Sequence, residues 1–177
     1  MYLKFDLTRP QRLDYKAKLV EFAKRQSYSF HVTASLNSDG SIAKLEDCLR
    51  GWVARVDRYY LGRSWLRRPE HRMQGVVFFE QGPVRTQNHA HLLVSPPAGA
   101  PEQDFALRVP SWWSAVETDA MPIVIRPVTR YGQMYVQQVH TPADLKRVAG
   151  YDMKDFERGC QAIEKWKFLA DLSSTPG

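Results

Sequence analysis

One short run, His89-Ala90-His91 passing directly into Leu92-Leu93-Val94-Ser95, most limits the folds open to this chain. Side chains alternate between the two faces of a strand, so His89 and His91 project to the same face. A second strand-like run, Gly75 to Glu80 (GVVFFE), precedes it across a loop containing Gly82-Pro83, and Pro96-Pro97 closes the pair. With Glu80 ending one strand and His89 beginning the next, the two stand opposite each other, Cβ atoms about 5 Å apart. His91 shares their face. A carboxylate and two imidazoles then converge on one point, a donor set suited to Mn²⁺ or Mg²⁺ with open positions rather than to a closed structural zinc site.

The remaining pattern alternates helices with strands. Leu13 to Arg25 reads as a short basic amphipathic helix within an N-terminal basic extension, residues 1–26. Ser27 to Leu36 is a first strand ending at the turn cluster Asn37-Ser38-Asp39-Gly40. Leu45, Leu49, Trp52, Val53, Val56 and Tyr60 recur at helical spacing, with Lys44, Glu46, Asp47, Arg50, Asp57 and Arg58 assigned to the opposite side and Gly62 as the stop. Phe105 to Val116 reads as a helix interrupted by Pro110, and Pro122–Val128 with Gln133–Val139 as a hairpin. Thr141-Pro142-Ala143-Asp144 is a helix start, followed by an apolar stripe of Leu145, Ala149, Met153, Phe156, Cys160 and Ile163. The order βαββ(α)ββα predicts an α+β domain over residues 27–170, its sheet mostly antiparallel with flanking helices, and a loose tail at 171–177.

A length of 177 residues with 44% hydrophobic content suits one domain with a real core. No apolar run reaches membrane-span length, and Met1 to Asp6 lacks an apolar export core, so a cytoplasmic location without membrane contact is expected. Cys48 and Cys160 stand apart and read as reduced thiols. A net charge of +6 favours a polyanionic partner. The basic residues crowd at Arg63, Arg67, Arg68, His71 and Arg72, with Trp65 among them. Such a segment is expected to track phosphates while the indole stacks on a base, a solvated basic loop being the alternative.

Tyr151 and Lys154 lie three residues apart on one flank of the last helix, away from its apolar stripe. A phenol is a weak nucleophile at its ordinary pKa near 10. A metal ion polarising a phosphate oxygen and an ammonium group beside it supply what the phenol lacks for transesterification at a phosphodiester.

An H-x-H within a strand, a glutamate nine residues before it and Tyr-x-x-Lys on a later helix resemble the HUH single-strand endonucleases. The nearest likeness is to the single-tyrosine rolling-circle replication initiators of plasmids, phages and small DNA viruses, over residues 28 to 156. The resemblance implies an RRM/ferredoxin-like core and metal-dependent, sequence-specific nicking and joining of single-stranded DNA through a 5′-phosphotyrosine. Glu80, His89 and His91 match the metal ligands, Tyr151 the nucleophile and Lys154 the helper lysine. The implied partner is single-stranded DNA at a stem-loop origin, with a host helicase and polymerase beyond it. Phe30-His31-Val32-Thr33 only loosely echoes the family's first-strand motif. Arg147 stands where two-tyrosine members often have a second nucleophile, and no helicase segment follows within the sequence. A single-tyrosine transposase, a relaxase, or a catalytically silent RRM-like nucleic-acid binder remain open on sequence alone.

Overall fold

A computed structural model describes residues 8–26, 28–36, 41–81, 88–119, 134–152 and 166–173. They form helix α1 (Arg9–Arg25), strand β1 (Phe30–Ser35), α2 (Ile42–Leu61), two 3-10 turns (Gly62–Arg67 and Pro69–His71), β2 (Gln74–Gln81), β3 (Asn88–Ser95), α3 (Glu102–Asp119), β4 (Met134–Gln138), α4 (Pro142–Asp152), β5 (Trp166–Phe168) and α5 (Leu169–Ser173). The five strands make one sheet in the order β4-β1-β3-β2-β5, with every neighbouring pair antiparallel. The domain is α+β with helices on both sheet faces, as expected from the element order. The first strand of the expected hairpin, and the last helix beyond Asp152, lie outside the described residues.

Alternation along the strands divides the molecule into two cores. On one face Phe30, Val32, Val77, Phe79, Leu92 and Val94 pack beneath α2, α3 and α5. Leu45, Leu49, Trp52 and Val56 supply the α2 contribution at the spacing that the sequence showed. Gly62 closes α2 at φ +70, a conformation a side chain would resist, and its N–H donates to the Arg58 carbonyl. Helix α3 runs through Pro110 rather than breaking there, with the Ser111 hydroxyl donating to the Arg108 carbonyl. Residues 171–173, expected to be tail, belong to α5; Leu169 and Leu172 are fully buried, and Arg50 Nε donates to the Leu172 carbonyl at 2.9 Å.

Asp57 departs from the expected solvated side of α2. It follows Val53 by one helical turn, on the core face, and its side chain is wholly buried. The Met73 N–H donates to Oδ1 at 2.8 Å and Arg72 Nε to Oδ2 at 3.0 Å. This pair ties the 3-10 turns back to α2.

The other sheet face carries Val76, Phe78 and Leu93 under α1 and α4, which contribute Leu19, Val20, Ala23, Leu145, Val148 and Ala149. Helix α1, expected as an N-terminal extension, is therefore packed on the sheet. Thr141 caps α4, its hydroxyl accepting from the Asp144 N–H at 3.1 Å, as the Thr-Pro-Ala-Asp start predicts. Helix α4 then runs over the sheet toward β3, and its described end stands above His91.

Candidate metal and nucleophile site

The β2–β3 register places Glu80 directly opposite His89, as the sequence predicts, and sets Phe78 opposite His91. On the central strand β3 one face reads Leu93, His91, His89 in order: covered by helices, then beneath the end of α4, then at the rim. A single carboxylate oxygen, Glu80 Oε2, lies 3.2 Å from His89 Nε2 and 3.3 Å from His91 Nε2. The three ligand atoms all fall within 4.8 Å of one another, and His89 and Glu80 keep partial access to solvent.

Proton accounting for one of the two His91 tautomers leaves room for a cation in this group. Burial, the largest influence, holds the His91 imidazole below its ordinary pKa despite the carboxylates beside it, so the ring is neutral near pH 7. A neutral ring has one N–H and one lone pair. Its Nδ1 lies 3.1 Å from Thr33 Oγ1 and 3.6 Å from Asp152 Oδ1, while its Nε2 faces Glu80. With the proton on Nδ1, lone pairs on Nε2 and Glu80 Oε2 confront each other, and a divalent cation between them turns repulsion into ligation.

Tyr151 is 55% exposed, off the core face as predicted, and its ring stands edge-on to that of His91 with centroids 5.7 Å apart. Lys154, the expected helper, lies outside the described residues. Two further residues join the group without having been singled out as site residues. His31 on β1 projects to the same face as His91, their rings nearly parallel at 5.6 Å, and its Nε2 lies 2.9 Å from Asp152 Oδ1. The signal for His31 was its parity with Thr33 on the first strand. For Asp152 it was the helical spacing 145–148–152.

The basic segment divides. Arg63 and Arg67 on the first 3-10 turn, and Arg68 between the two turns, are exposed. Trp65 is buried, with the Arg72 guanidinium 4.8 Å over its ring, so the expected base stacking is corrected to a packing role. Arg72, also expected at DNA, is the partner of buried Asp57. The turns join β2 at Gln74, whose side chain donates to the Arg72 carbonyl at 3.1 Å. Glu80 stands six residues on, about 20 Å along an extended strand, so these arginines belong to the end of β2 remote from the histidines.

Comparison with protein-family models, with curated proteins and with solved structures finds no match to this chain. No helix among the described residues is long and apolar enough to cross a membrane.

Proposed function

We infer that this chain is an HUH-type endonuclease that nicks and rejoins single-stranded DNA through Tyr151, with rolling-circle replication initiation as its role. The observation that carries this reading is the convergence of Glu80, His89 and His91 with the Tyr151 ring packed edge-on against His91. The supporting frame is an antiparallel sheet whose central strand bears both histidines. A silent RRM-like binder would need open aromatic rings on its central strands, whereas Phe30, Phe78 and Phe79 are all buried.

Glu80, His89 and His91 would hold Mn²⁺ or Mg²⁺, which supplies Lewis acidity at a non-bridging phosphate oxygen. The chain's own part is positional. Half-exposed Tyr151 can meet a strand laid across the rim of the sheet, and its oxygen forms the new bond to phosphorus as the bond to the departing 3′ oxygen breaks. The phenol gives its proton to water, and the leaving 3′ oxygen takes one up. The phosphotyrosine keeps the ester, so an incoming 3′-OH reverses the step without ATP. Attachment at the 5′ phosphate, and help from Lys154, rest on the family likeness.

The test is a denaturing gel of the protein with a pool of labelled stem-loop oligonucleotides carrying randomised loops, with Mn²⁺ or EDTA. Wild-type protein is expected to capture the strand downstream of the nick, with the adduct mapped to Tyr151, and EDTA, His89→Ala with His91→Ala, or Tyr151→Phe to abolish capture. Capture that survives the double alanine change, or an adduct mapped to Tyr131 or Tyr135, would overturn the reading.

A further inference from the structure

Helix α4 packs its Leu145, Val148 and Ala149 on the sheet, and the next position of that stripe is a carboxylate, Asp152. Its side chain is fully buried, a costly place for a charge unless it is paired there. Oδ1 lies 2.9 Å from His31 Nε2 and 3.6 Å from His91 Nδ1, while Oδ2 has no hydrogen-bond partner among the described residues.

Two groups of donor atoms share His91: the outer Glu80–His89–His91 and the inner His31–His91–Asp152. A neutral imidazole has one lone pair and can serve only one of them. The outer group reaches solvent, where a substrate oxygen can complete the coordination; the inner group is buried throughout. This assigns Nε2 to the ion and the proton to Nδ1, where Thr33 Oγ1 accepts it and the Asp152 carboxylate favours it electrostatically.

We propose that Asp152 is the positioning residue of the site, held by His31, fixing the tautomer and ring orientation of His91 and clamping the adjacent Tyr151 over the metal ligands. The proposal rests on the functional reading above and extends it to residues that never touch substrate. Partners of this kind, removed from metal-binding histidines, typically change metal affinity about 10–100-fold. The clamp adds a second effect, since loosening the end of α4 displaces the nucleophile even when the metal is saturating.

The experiment compares wild type with Asp152→Asn and His31→Phe, the latter keeping a ring against His91 while losing the Nε2 donor. Long-range ¹H–¹⁵N spectra of the metal-free protein report the His91 tautomer, Mn²⁺ titration by electron paramagnetic resonance gives affinity, and metal-free melting controls for folding. Expected are an Nδ1–H tautomer of His91 in wild type and a loss of Mn²⁺ affinity of about 10–100-fold in Asp152→Asn. Its metal-free melting temperature reports any loss of folding separately from loss of metal, and the Asn oxygen can still accept from His31 Nε2. At saturating Mn²⁺ the rate of capture should still fall, with DNA affinity unchanged. His31→Phe should move tautomer and affinity in the same direction, which keeps the test standing if Asp152→Asn does not fold. An Nε2–H tautomer in wild type, or wild-type Mn²⁺ affinity in both variants, would overturn the proposal. So would Mn²⁺ binding lost in Asp152→Asn but intact in His89→Ala, which would place the ion in the inner group. The expected tautomer without any Mn²⁺ binding would instead sink the functional reading and leave the positioning role.

Discussion

Replacing Arg72 with alanine separates a structural arginine from a DNA-binding one. Arg72 meets a carboxylate with no exposed side-chain surface, through Nε at 3.0 Å, and its own side chain is only 13% exposed. Removing one partner of such a pair leaves the other charge buried and typically costs about 3–5 kcal/mol. Asp57 would keep the Met73 N–H at 2.8 Å, which favours the lower end, while the uncovered Trp65 ring loses a cation–π contact worth about 0.5–1 kcal/mol. A net loss of about 3–4 kcal/mol corresponds to a fall in melting temperature of roughly 6–16 °C in a domain of this size.

Proton linkage gives this prediction a second signature. Burial pushes the Asp57 carboxyl above its ordinary pKa, against the opposing pull of the Met73 N–H and of Arg72. A carboxyl raised on folding binds more protons in the native than in the unfolded state between the two pKa values, so its penalty shrinks as pH falls through the folded pKa. Without Arg72 that pKa rises further, and the deficit of the variant should be smaller at about pH 5 than at neutrality. The assay is urea unfolding of wild type, Arg72→Ala, Asp57→Asn and the double variant at both pH values. The double variant should recover part of the loss, as expected of contacting residues. An Arg72→Ala deficit that is negligible, pH-independent, or unchanged in the Asp57→Asn background would refute the buried-pair account.

Two further outcomes are expected elsewhere. Arg67→Ala with Arg68→Ala should leave the melting temperature unchanged but weaken single-stranded DNA binding and reduce the salt slope by roughly one unit per lost phosphate contact; an unchanged slope assigns both to a solvated surface. Gly75→Ala should lower the melting temperature by about 6 °C or more, since overpacking costs about 1–3 kcal/mol and this case lies at the upper end. A Cβ there would stand 2.5 Å from the Leu93 carbonyl oxygen and 2.9 Å from Leu169 Cδ1. Undiminished melting would show that β2 and β3 can separate without penalty.

The site was legible where a strict period governed it. A period of two residues fixed which side chains share a face, and taking Glu80 and His89 as the facing strand ends set them opposite each other, which is the pairing observed. The capped start of α4 was equally local. Long-range pairing was not. Nothing beside Arg72 in the chain marks it as the partner of Asp57, and a cluster of arginines reads the same whether one of them points inward or all face water. The strand β5 was missed for a related reason: three residues carry too little alternation to register, and pairing with β2 holds them.

Asp152 joins both kinds of information. Its place on α4 obeys the helical period, since Leu145 and Val148 precede it on the buried stripe, yet in sequence the stripe reads through Ala149 to Met153 and passes the acidic residue over. What makes the position tolerable is His31, far away along the chain but beside it in the fold: β1 lies next to β3, and the β1 register sets His31 beside Leu93 and Thr33 beside His91. The antiparallel pairing of two strands thus brings the His31 imidazole, the Thr33 hydroxyl and His91 under one helix end. A carboxylate at that end is then neither a defect in the core nor a surface charge, but the element that makes the orientation of His91 and the placement of Tyr151 depend on each other.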